Sequence, residues 1–312
     1  MENTYKNDIV WQEIEKILPL DFRFSNTATP VEELFHWRNS LLHVDRFSNP
    51  RSPHKVILHH GVGTNGRLLS LIVGVPLAKR GYEVVSIDMP FYGMTINREP
   101  SILYSDWIEI GQKLIEQESK RDNKPIVLYG LSAGGMLAYH LACLKPEIKG
   151  IVGMCFIDLN ESYIRELISP YPALIERAFP LLLNLLMRTP LRTMRIPTKL
   201  FSKMTTLVND KKALSILIKD LRSGGSKVSF EFLHSLLNCR YPILPENFTH
   251  CPVLLTQPAA DRWTPLIVSQ AFMDKLNVRK QITMLENAGH YPLEQPGLNQ
   301  MVEAIHEFIL SV

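Results

Sequence analysis

The sequence Gly-Leu-Ser-Ala-Gly-Gly, residues 130–135, is the stretch from which the fold can be worked out. It follows the apolar run 126–129 and precedes a helix-like run, 136–144, which ends at Lys145-Pro146. This pattern predicts a strand, a sharp turn and a helix, with Ser132 at the apex of the turn. Glycines two positions before and after the serine leave room where the two backbones approach each other. The spacing is typical of a nucleophilic serine held in a strained backbone conformation.

The composition narrows the class of protein. The 312 residues suffice for one large domain or for a core with an insertion, and a hydrophobic content of 46% supports a full core. The net charge of +3 is too small to indicate a nucleic-acid partner. No uncharged apolar run reaches about 18 residues, so a spanning helix is not expected. The N-terminus is polar and lacks the apolar centre of a signal peptide.

The cysteines indicate a reducing compartment. There are four of them, Cys143, Cys155, Cys239 and Cys251, and no two form a C-x-x-C pair. Four cysteines in a chain of this length make no disulfide framework, so we expect reduced thiols and a cytoplasmic protein. No cysteine, histidine and aspartate cluster has zinc-ligand spacing, and we therefore expect neither a metal nor another cofactor.

Strands and helices alternate along most of the chain, which is the rhythm of a parallel α/β sheet. A short amphipathic helix is predicted over 8–19 and a hairpin around Asn39-Ser40, where His36 and His43 are expected on exposed strand faces. Another helix is predicted over 68–79, with Pro76 as a possible kink or early end. The other strands are predicted at 55–58, 83–87, 126–129, 150–156, 252–257 and 282–285, and the last helix at 298–310.

The alternation stops between about residues 160 and 249. Helical patterns are found at 162–167, 173–187, 211–222 and 229–237, and no convincing strand is found among them. We therefore predict a helical cap over residues 159–249, inserted into a core made of 1–158 and 250–312.

Chemistry-bearing residues follow the ends of several predicted strands, where parallel sheets bind ligands. Asp261 comes after the strand at 252–257 and His290 after the strand at 282–285, so both are expected at the same sheet edge as Ser132. The order serine, acid, histidine suits a nucleophile, a carboxylate that orients the base, and the base. Asp158 also follows a strand and is the alternative acid, whereas Asp88 is expected to brace a loop.

The loop His-His-Gly-Val-Gly, residues 59–63, is placed to stabilise a negatively charged oxygen. A tetrahedral intermediate needs two N–H donors, and the residue after the nucleophile, Ala133, supplies one. The other is expected from Val62, with Gly61 and Gly63 as alternatives. The glycines let this backbone approach a substrate, although they would also suit an ordinary tight turn.

Together these motifs make the chain resemble the serine α/β-hydrolases with a helical cap, in the broad group of monoglyceride lipases, lysophospholipases and carboxylesterases. The resemblance covers about residues 30–158 and 250–312. It rests on His60-Gly61, on Asp-Met-Pro-Phe-Tyr-Gly at 88–93, on the serine turn, on the Asp261 loop, and on Ala-Gly-His-Tyr-Pro-Leu-Glu-Gln-Pro at 288–296.

The resemblance implies a fold and an activity. The fold is an α/β-hydrolase fold with a mostly parallel sheet of about eight strands, flanked by helices. The activity is hydrolysis of acyl or lipid-like esters through an acyl-enzyme, with Ser132, His290 and Asp261 in the roles above. The substrate contacts that we predict are His60, Gly61, Leu131, Trp263 and Tyr291.

Other activities fit the same residues. A thioesterase, a C–C bond hydrolase, a lactonase or an acyltransferase uses the same three groups. A non-catalytic binding protein on this fold is the least favoured alternative, because such proteins usually lack one of the three residues.

The predicted cap has an uneven charge. Residues 188–222 contain nine lysines and arginines against two aspartates, a net charge of +7, so the remainder of the chain is about −4. The leucine-rich run 181–187 lies directly before this segment. Two interpretations stay open. Either this part of the cap makes transient contact with an anionic membrane, or the leucines pack inward and the charges are simply solvated.

Overall fold

The structure is a computed structural model that describes residues 3–312. It has ten strands: β1 (Val31–Trp37), β2 (Ser40–Phe47), β3 (Lys55–His59), β4 (Glu83–Ile87), β5 (Ile126–Leu131), β6 (Ile148–Met154), β7 (Arg195–Pro197), β8 (Lys227–Ser229), β9 (Val253–Pro258) and β10 (Lys280–Leu285). Eight of them form one sheet in the order β1-β2-β4-β3-β5-β6-β9-β10. β1 and β2 pair antiparallel, β2 also runs antiparallel to β4, and all other pairs are parallel. The predicted α/β-hydrolase sheet is therefore confirmed.

The helices cover both faces of this sheet. They are α1 (Ile9–Ile17), α2 (Gly66–Leu69), α3 (Val75–Lys79), α4 (Tyr104–Asp122), α5 (Ala133–Leu144), α6 (Ser162–Ile168), α7 (Ala173–Leu186), α8 (Lys211–Leu217), α9 (Phe230–Leu237), α10 (Leu266–Lys275) and α11 (Gly297–Leu310). None of the helices within residues 3–312 is long and apolar enough to cross a membrane.

The central strands read as continuous apolar runs because helices bury them on both faces. Every residue of β3, β4 and β5 is buried. Alternate side chains enter two separate cores. Val56 and Leu58 join the core under α11, while Ile57 joins the core under α4 and α5. The loops that follow these strands are thus fixed on a rigid support.

Pro76 neither ends nor shortens the predicted helix. The helical segment runs from Gly66 to Lys79 without a break, and its middle, Ser70–Gly74, is a π-helical turn. A proline has no N–H to bond the carbonyl four residues before it. The wider turn that directly precedes α3 accommodates this missing bond.

The cap region contains a small sheet that the sequence did not predict. β7 and β8 pair antiparallel, with Arg195 opposite Ser229 and Pro197 opposite Lys227. Each strand is three residues long, too short to show an alternating pattern. Helix α8 also ends at Leu217, five residues before its predicted end at Arg222. The boundaries 159–249 of the cap stay a prediction.

Part of the cap is hydrogen-bonded to loops of the core. The N–H of Tyr291 donates to the carbonyl of Leu207 at 2.6 Å, and the N–H of Asn209 donates to the Glu294 carboxylate at 2.9 Å. The side-chain amide of Asn209 donates to the carbonyl of Ala260 at 3.2 Å. Residues 207–209 therefore hold the two loops on which Asp261 and His290 lie.

The hairpin forms as predicted, but only one of its two histidines is exposed. His36 is exposed, whereas His43 is only 2% exposed, so the prediction of two exposed histidines was wrong for His43. The N-terminal segment and the helix after β3 cover this face of β2. Nε2 of His43 lies 2.9 Å from the Glu32 carboxylate, and Nδ1 lies 3.3 Å from Asp88.

His43 is the centre of a buried charge cluster. Burial alone would lower its pKa, but hydrogen bonds to Asp88 and Glu32 outweigh that effect and raise the pKa to about 10. The pKa of Asp88 is lowered to about 2, because the bond to His43 outweighs the burial of the carboxyl group. Tyr5 donates its hydroxyl to Asp88 at 2.8 Å. The charged side chains that surround His43 are those of Glu32, Asp45, Arg67 and Asp88.

We expect His43→Gln to destabilise the protein by roughly 3–5 kcal/mol near pH 6, as loss of one partner from a buried pair does. The folded-state pKa of about 10 lies above the ordinary value of 6.5. The charge of His43 thus contributes fully below pH 6.5, and its contribution declines as the pH rises to about 10. Urea unfolding from pH 5.5 to 10 should show the difference shrinking over that window.

The control is His36→Gln on the same hairpin, which should change stability little at any pH because His36 is exposed. A difference between wild type and His43→Gln that stays constant from pH 5.5 to 10 would contradict the assignment of a charged His43.

Candidate active site

Ser132 occupies a sharp turn between β5 and α5. Its backbone angles are φ 57° and ψ −120°, a conformation that side-chain-bearing residues rarely adopt. A Cβ at Gly130 would overlap the carbonyl of Gly134, and one at Gly134 would overlap the carbonyl of His59. Only glycine fits these two positions, which is the reason for the G-x-S-x-G spacing. The N–H of Ser132 donates to the carbonyl of Met154 at 2.7 Å and fixes the turn on β6.

His290 follows β10 and is fully buried. Its Nδ1 atom lies 2.8 Å from Oδ2 of Asp261. An ionised carboxylate only accepts hydrogen bonds, so we assign the ring proton to Nδ1. Nε2 then carries a lone pair, and within residues 3–312 this buried atom has no hydrogen-bond partner. A base with one anchored nitrogen and one free nitrogen is suited to taking a proton.

Several donors hold the Asp261 carboxylate. The N–H groups of Trp263 and Thr264 donate to Oδ1 at 2.7 and 2.9 Å, and the Thr264 hydroxyl donates to Oδ2 at 2.5 Å. Burial alone would raise the pKa of Asp261, but the charge and hydrogen bond of His290 and the bonds from Thr264 outweigh it and lower the pKa. Asp261 is therefore ionised at neutral pH. Thr264 was missed in the sequence, because nothing but its position after Asp261 marks it.

The alternative acid, Asp158, is engaged elsewhere. It is buried, and its carboxylate accepts bonds from the N–H of Asn160 at 3.1 Å and from Lys275 at 3.2 Å. Among residues 3–312, Asp261 is the carboxylate that lies within hydrogen-bond distance of His290. The geometry thus favours Asp261 over Asp158 as the partner of the histidine.

The loop after β3 lies against the serine turn. A Cβ at Gly61 would come within 3.0 Å of Cβ of Ser132 and 3.1 Å of the Ala133 nitrogen. His60 anchors this loop, because its Nε2 accepts from the N–H of Met89 at 2.9 Å and its Nδ1 then donates to the carbonyl of Gly61 at 2.7 Å. The Gly61 carbonyl and the Val62 N–H belong to one trans peptide and point in opposite directions. Because the Gly61 carbonyl points towards the His60 ring, the Val62 N–H points away from that ring.

Asp88 braces the neighbouring backbone, as its sequence position predicted. Its Oδ1 accepts from the N–H of Gly66 at 2.6 Å, and its Oδ2 accepts from the N–H of Met94 at 2.8 Å. It thus joins the start of α2, just beyond the loop at 59–63, to the loop that follows β4. The aspartate contributes position rather than chemistry.

An apolar cavity opens above the serine turn. Its empty volume is about 1080 Å³, part of which is open to solvent. Helices α6, α7 and α9 form the outer wall. The lining residues are Val62, Ser132, Ala133, Met136, Ile157, Leu159, Arg165, Ile168, Ser169, Tyr171, Ile175, Glu176, Phe179, Phe201, Ser202, Leu233, Leu236, Leu237 and Trp263.

The structure brings only part of the predicted site to this cavity. Ser132, Ala133 and Val62 lie in its wall, as does the predicted substrate contact Trp263, whose ring packs on His290 with centroids 4.7 Å apart. The proposed roles of these residues stay predictions.

The other four predicted substrate contacts do not lie in the cavity wall. The side chain of His60 is fully buried and bonded to backbone, and Gly61 packs against the serine turn. Leu131 points into the core, and Tyr291 is buried. These four residues are close to the motif residues in the sequence and lie near the site, but they are not exposed in the cavity.

Three potential metal ligands meet beside the site, although their sequence spacing gave no sign of it. Ligand atoms of Cys155, Asp261 and His290 lie within 4.8 Å of one another. Burial raises the pKa of the Cys155 thiol well above its usual range, so the thiol is protonated, whereas metals bind the thiolate. Sγ of Cys155 lies 3.0 Å from the Thr264 hydroxyl, so we interpret the group as a hydrogen-bonded cluster around Asp261.

Comparison with known proteins identifies the family. The model of the alpha/beta hydrolase family matches residues 56–298, which is most of the chain. The chain therefore belongs to the alpha/beta hydrolase family. No curated protein matches the sequence at a significant level.

Solved structures of similar fold include lipases and esterases. A soluble variant of monoglyceride lipase from Saccharomyces cerevisiae, bound to a substrate analogue, has a TM-score of 0.73 at 18% identity, covering 91% of this chain and 96% of that one. A monoacylglycerol lipase from Paleococcus ferrophilus has a TM-score of 0.64 at 21% identity, with coverages of 89% and 99%. Est1E from Butyrivibrio proteoclasticus, bound to ferulic acid, has a TM-score of 0.59 at 16% identity, with coverages of 89% and 98%.

The hydrogen bond between His60 and the Gly61 carbonyl fixes the peptide that carries the Val62 N–H. If Val62 supplies the predicted oxyanion donor, we expect His60→Leu to lower kcat for a p-nitrophenyl ester about 100-fold with little change in KM, because the Val62 N–H would lose its alignment. The matched control is His59→Leu. His59 is equally buried, and neither of its ring nitrogens has a hydrogen-bond partner within residues 3–312. Equal losses of kcat in the two folded variants would contradict the positioning role.

Proposed function

We propose that the protein is a serine hydrolase that cleaves carboxylic esters of acyl-chain or lipid-like substrates. The observation that carries this proposal is the hydrogen bond that anchors His290 to Asp261 and leaves Nε2 without a partner within residues 3–312, found together with a strained serine in the wall of an apolar cavity.

The proposed reaction has two halves. The Ser132 hydroxyl attacks the ester carbonyl carbon while His290 Nε2 takes its proton, and the N–H groups of Val62 and Ala133 bind the resulting oxyanion. The C–O bond of the ester then breaks, and His290 returns the proton to the departing alcohol. In the second half, water attacks the acyl carbon and gives a proton to His290. The bond between this carbon and the Ser132 oxygen breaks, His290 returns the proton to the serine, and the acid is released. Asp261 keeps the histidine in its orientation and stabilises its charged form.

The cavity supports an acyl substrate. Side chains such as Met136, Phe179 and Leu233 supply an apolar wall, and burying an acyl chain contributes about 0.8 kcal/mol per methylene. Monoacylglycerols, lysophospholipids and simple carboxylic esters all fit this description. The substrate analogue in the yeast monoglyceride lipase belongs to that protein and is compatible with this choice.

Other reactions on the same groups form the second candidate function. A thioesterase, a C–C bond hydrolase, a lactonase or an acyltransferase would use the same nucleophile and base. A binding protein without turnover is disfavoured, because the free Nε2 and the strained serine serve no purpose in binding alone.

The cap also supports the membrane interpretation. Leucines on the outer face of α7 stay exposed rather than packing inward, with 81% of Leu174, 71% of Leu181 and 63% of Leu185 accessible. Arg188 and Arg192 follow directly and are exposed. An apolar stripe beside basic side chains suits an anionic lipid surface. We therefore propose that this face of α7 makes transient contact with anionic membranes.

A cytoplasmic location remains part of the proposal. Within residues 3–312, all four cysteines are unpaired thiols. Burial raises the pKa of Cys143 and Cys239 to about 11, so these thiols are protonated and unreactive at neutral pH. Such thiols are usual in a reducing compartment.

The first test is hydrolysis of p-nitrophenyl esters of increasing acyl length. We expect wild-type activity with an optimum at one chain length, and at least a 10³-fold loss in Ser132→Ala, because the nucleophile is gone. A fluorophosphonate should label wild type at Ser132 and leave Ser132→Ala unlabelled, which mass spectrometry detects. The control is Ser215→Ala, an exposed serine on α8. Absence of wild-type hydrolysis at every length would reject simple esterase activity and favour the thioester, C–C or transferase alternatives.

A second test addresses the membrane face. We expect Leu181→Ser combined with Leu185→Ser to weaken binding to anionic vesicles at least about 10-fold in flotation at low salt, because the apolar area that enters the lipid is reduced. The matched control replaces two equally exposed residues elsewhere, Ile9 (73%) and Leu310 (68%), with serine. Failure of the wild type to float with anionic vesicles would reject the membrane contact.

A further inference from the structure

Apart from the serine turn, the polar side chains in the wall of the apolar cavity are those of Arg165, Ser169, Tyr171, Glu176 and Ser202. The hydroxyls of Tyr171 and Ser202 already donate to backbone carbonyls, which leaves the other three as the group of interest. Arg165 lies on α6, Ser169 directly follows α6, and Glu176 lies in the first turns of α7. All three line the cavity from the side of the cap, whereas Ser132, Ala133 and Val62 line it from the edge of the sheet. A substrate with its carbonyl at Ser132 would present a more distant part of itself to this group.

Glu176 has an unusual environment for a carboxylate. It is half-buried, and burial raises its pKa although Ser169 and Arg165 act to lower it. No salt bridge joins Glu176 to any residue in the range 3–312. The adjacent Arg177 is paired instead with Glu166, at 2.6 Å. Glu176 therefore retains acceptor capacity towards the cavity, and desolvating it costs free energy until a donor arrives.

Arg165 complements this carboxylate. Its Nη1 donates to the carbonyls of Leu159 and Asn160 at 2.6 and 3.4 Å, which fixes the guanidinium in place. A guanidinium has five N–H donors, so donors remain for a ligand. The group thus offers acceptors from Glu176, donors from Arg165 and a hydroxyl from Ser169 in the wall of a largely apolar cavity.

We propose that Arg165, Ser169 and Glu176 form a subsite for hydroxyl groups of the substrate. This inference rests on the proposed function and extends it to the substrate class. A hydroxyl both donates and accepts, so it satisfies the carboxylate and the guanidinium together. A carboxylate or phosphate group on the substrate could pair with Arg165 but would be repelled by Glu176, and an alkyl group would leave both polar groups unpaired. The hydroxyl can come from a polyol alcohol or from a hydroxylated acyl chain.

The test measures binding separately from turnover. Ser132→Ala protein is titrated calorimetrically with two ethers that cannot be hydrolysed, 1-O-dodecylglycerol and dodecyl methyl ether. We expect the glycerol ether to bind at least 10-fold more tightly, and Glu176→Met in the same background to reduce that preference about 10-fold, the usual effect of losing a hydrogen bond to a charged group. Glu176→Gln, which still accepts one hydrogen bond, should restore part of the preference.

A second pair of ligands distinguishes the two sources of the hydroxyl. Dodecanoate and 12-hydroxydodecanoate methyl esters are compared as substrates of wild type and Glu176→Met. A loss of preference confined to the glycerol ether assigns the subsite to the alcohol part, and a loss confined to the hydroxy ester assigns it to the acyl chain. The matched control is Glu166→Met, since Glu166 does not line the cavity and should leave both preferences unchanged.

The outcomes separate this inference from the proposed function. Equal binding of the two ethers, or a preference that Glu176→Met does not change, would overturn the subsite even if esters are hydrolysed. A hydroxyl preference that depends on Glu176, in a protein that hydrolyses no ester, would support the subsite and overturn the esterase proposal.

Discussion

The positive φ angle at Ser132 is the constraint on which the rest of the site depends. Such a conformation costs about 1–3 kcal/mol and persists only where neighbouring structure imposes it. Here β5, α5 and the loop after β3 approach so closely that Gly130, Gly134 and Gly61 have no room for a Cβ. The same crowding brings the Ala133 nitrogen next to that loop. Strain at one residue and the assembly of the predicted oxyanion site are therefore two results of one close backbone approach.

Two buried histidines in this chain show how similar contacts lead to different chemistry. His43 and His290 each contact an aspartate through Nδ1. The second nitrogen of His43 is bonded to Glu32, so the ring is held as a cation and has no free site. The second nitrogen of His290 has no partner within residues 3–312. The two rings therefore differ in the occupancy of Nε2 rather than in the contact with an aspartate, and only His290 combines an anchored Nδ1 with an unpartnered Nε2.

The sequence was sufficient for features that local chemistry dictates. The serine turn needs glycine at fixed positions, and parallel strands place their following loops at one edge, so the turn at Ser132 and the contact between Asp261 and His290 were predictable. Features that depend on long-range packing were not. The three-residue strands β7 and β8 carry no periodic signal, and His43 is buried by an N-terminal segment distant in sequence. Glu176 and Phe179 line the cavity only because α7 turns that face inward.

The hydrogen bonds between the cap and the core are unevenly distributed. Residues 207–209 bond to backbone or side chains within four residues of His290 and next to Asp261. Substitutions there disturb the proton-transfer pair together with the cap. Helix α6 is tied to the Asp261 loop, because the indole N–H of Trp263 donates to the carbonyl of Ile168 at 3.0 Å. Helix α7, which carries Glu176 and the exposed leucines, makes no hydrogen bond to those two loops within the part of the chain that the structure describes. Substitutions on α7 can therefore change the cavity wall and the exposed leucine face without breaking a hydrogen bond to the loops of Asp261 and His290, whereas changes at the end of α6 bear on the Asp261 loop.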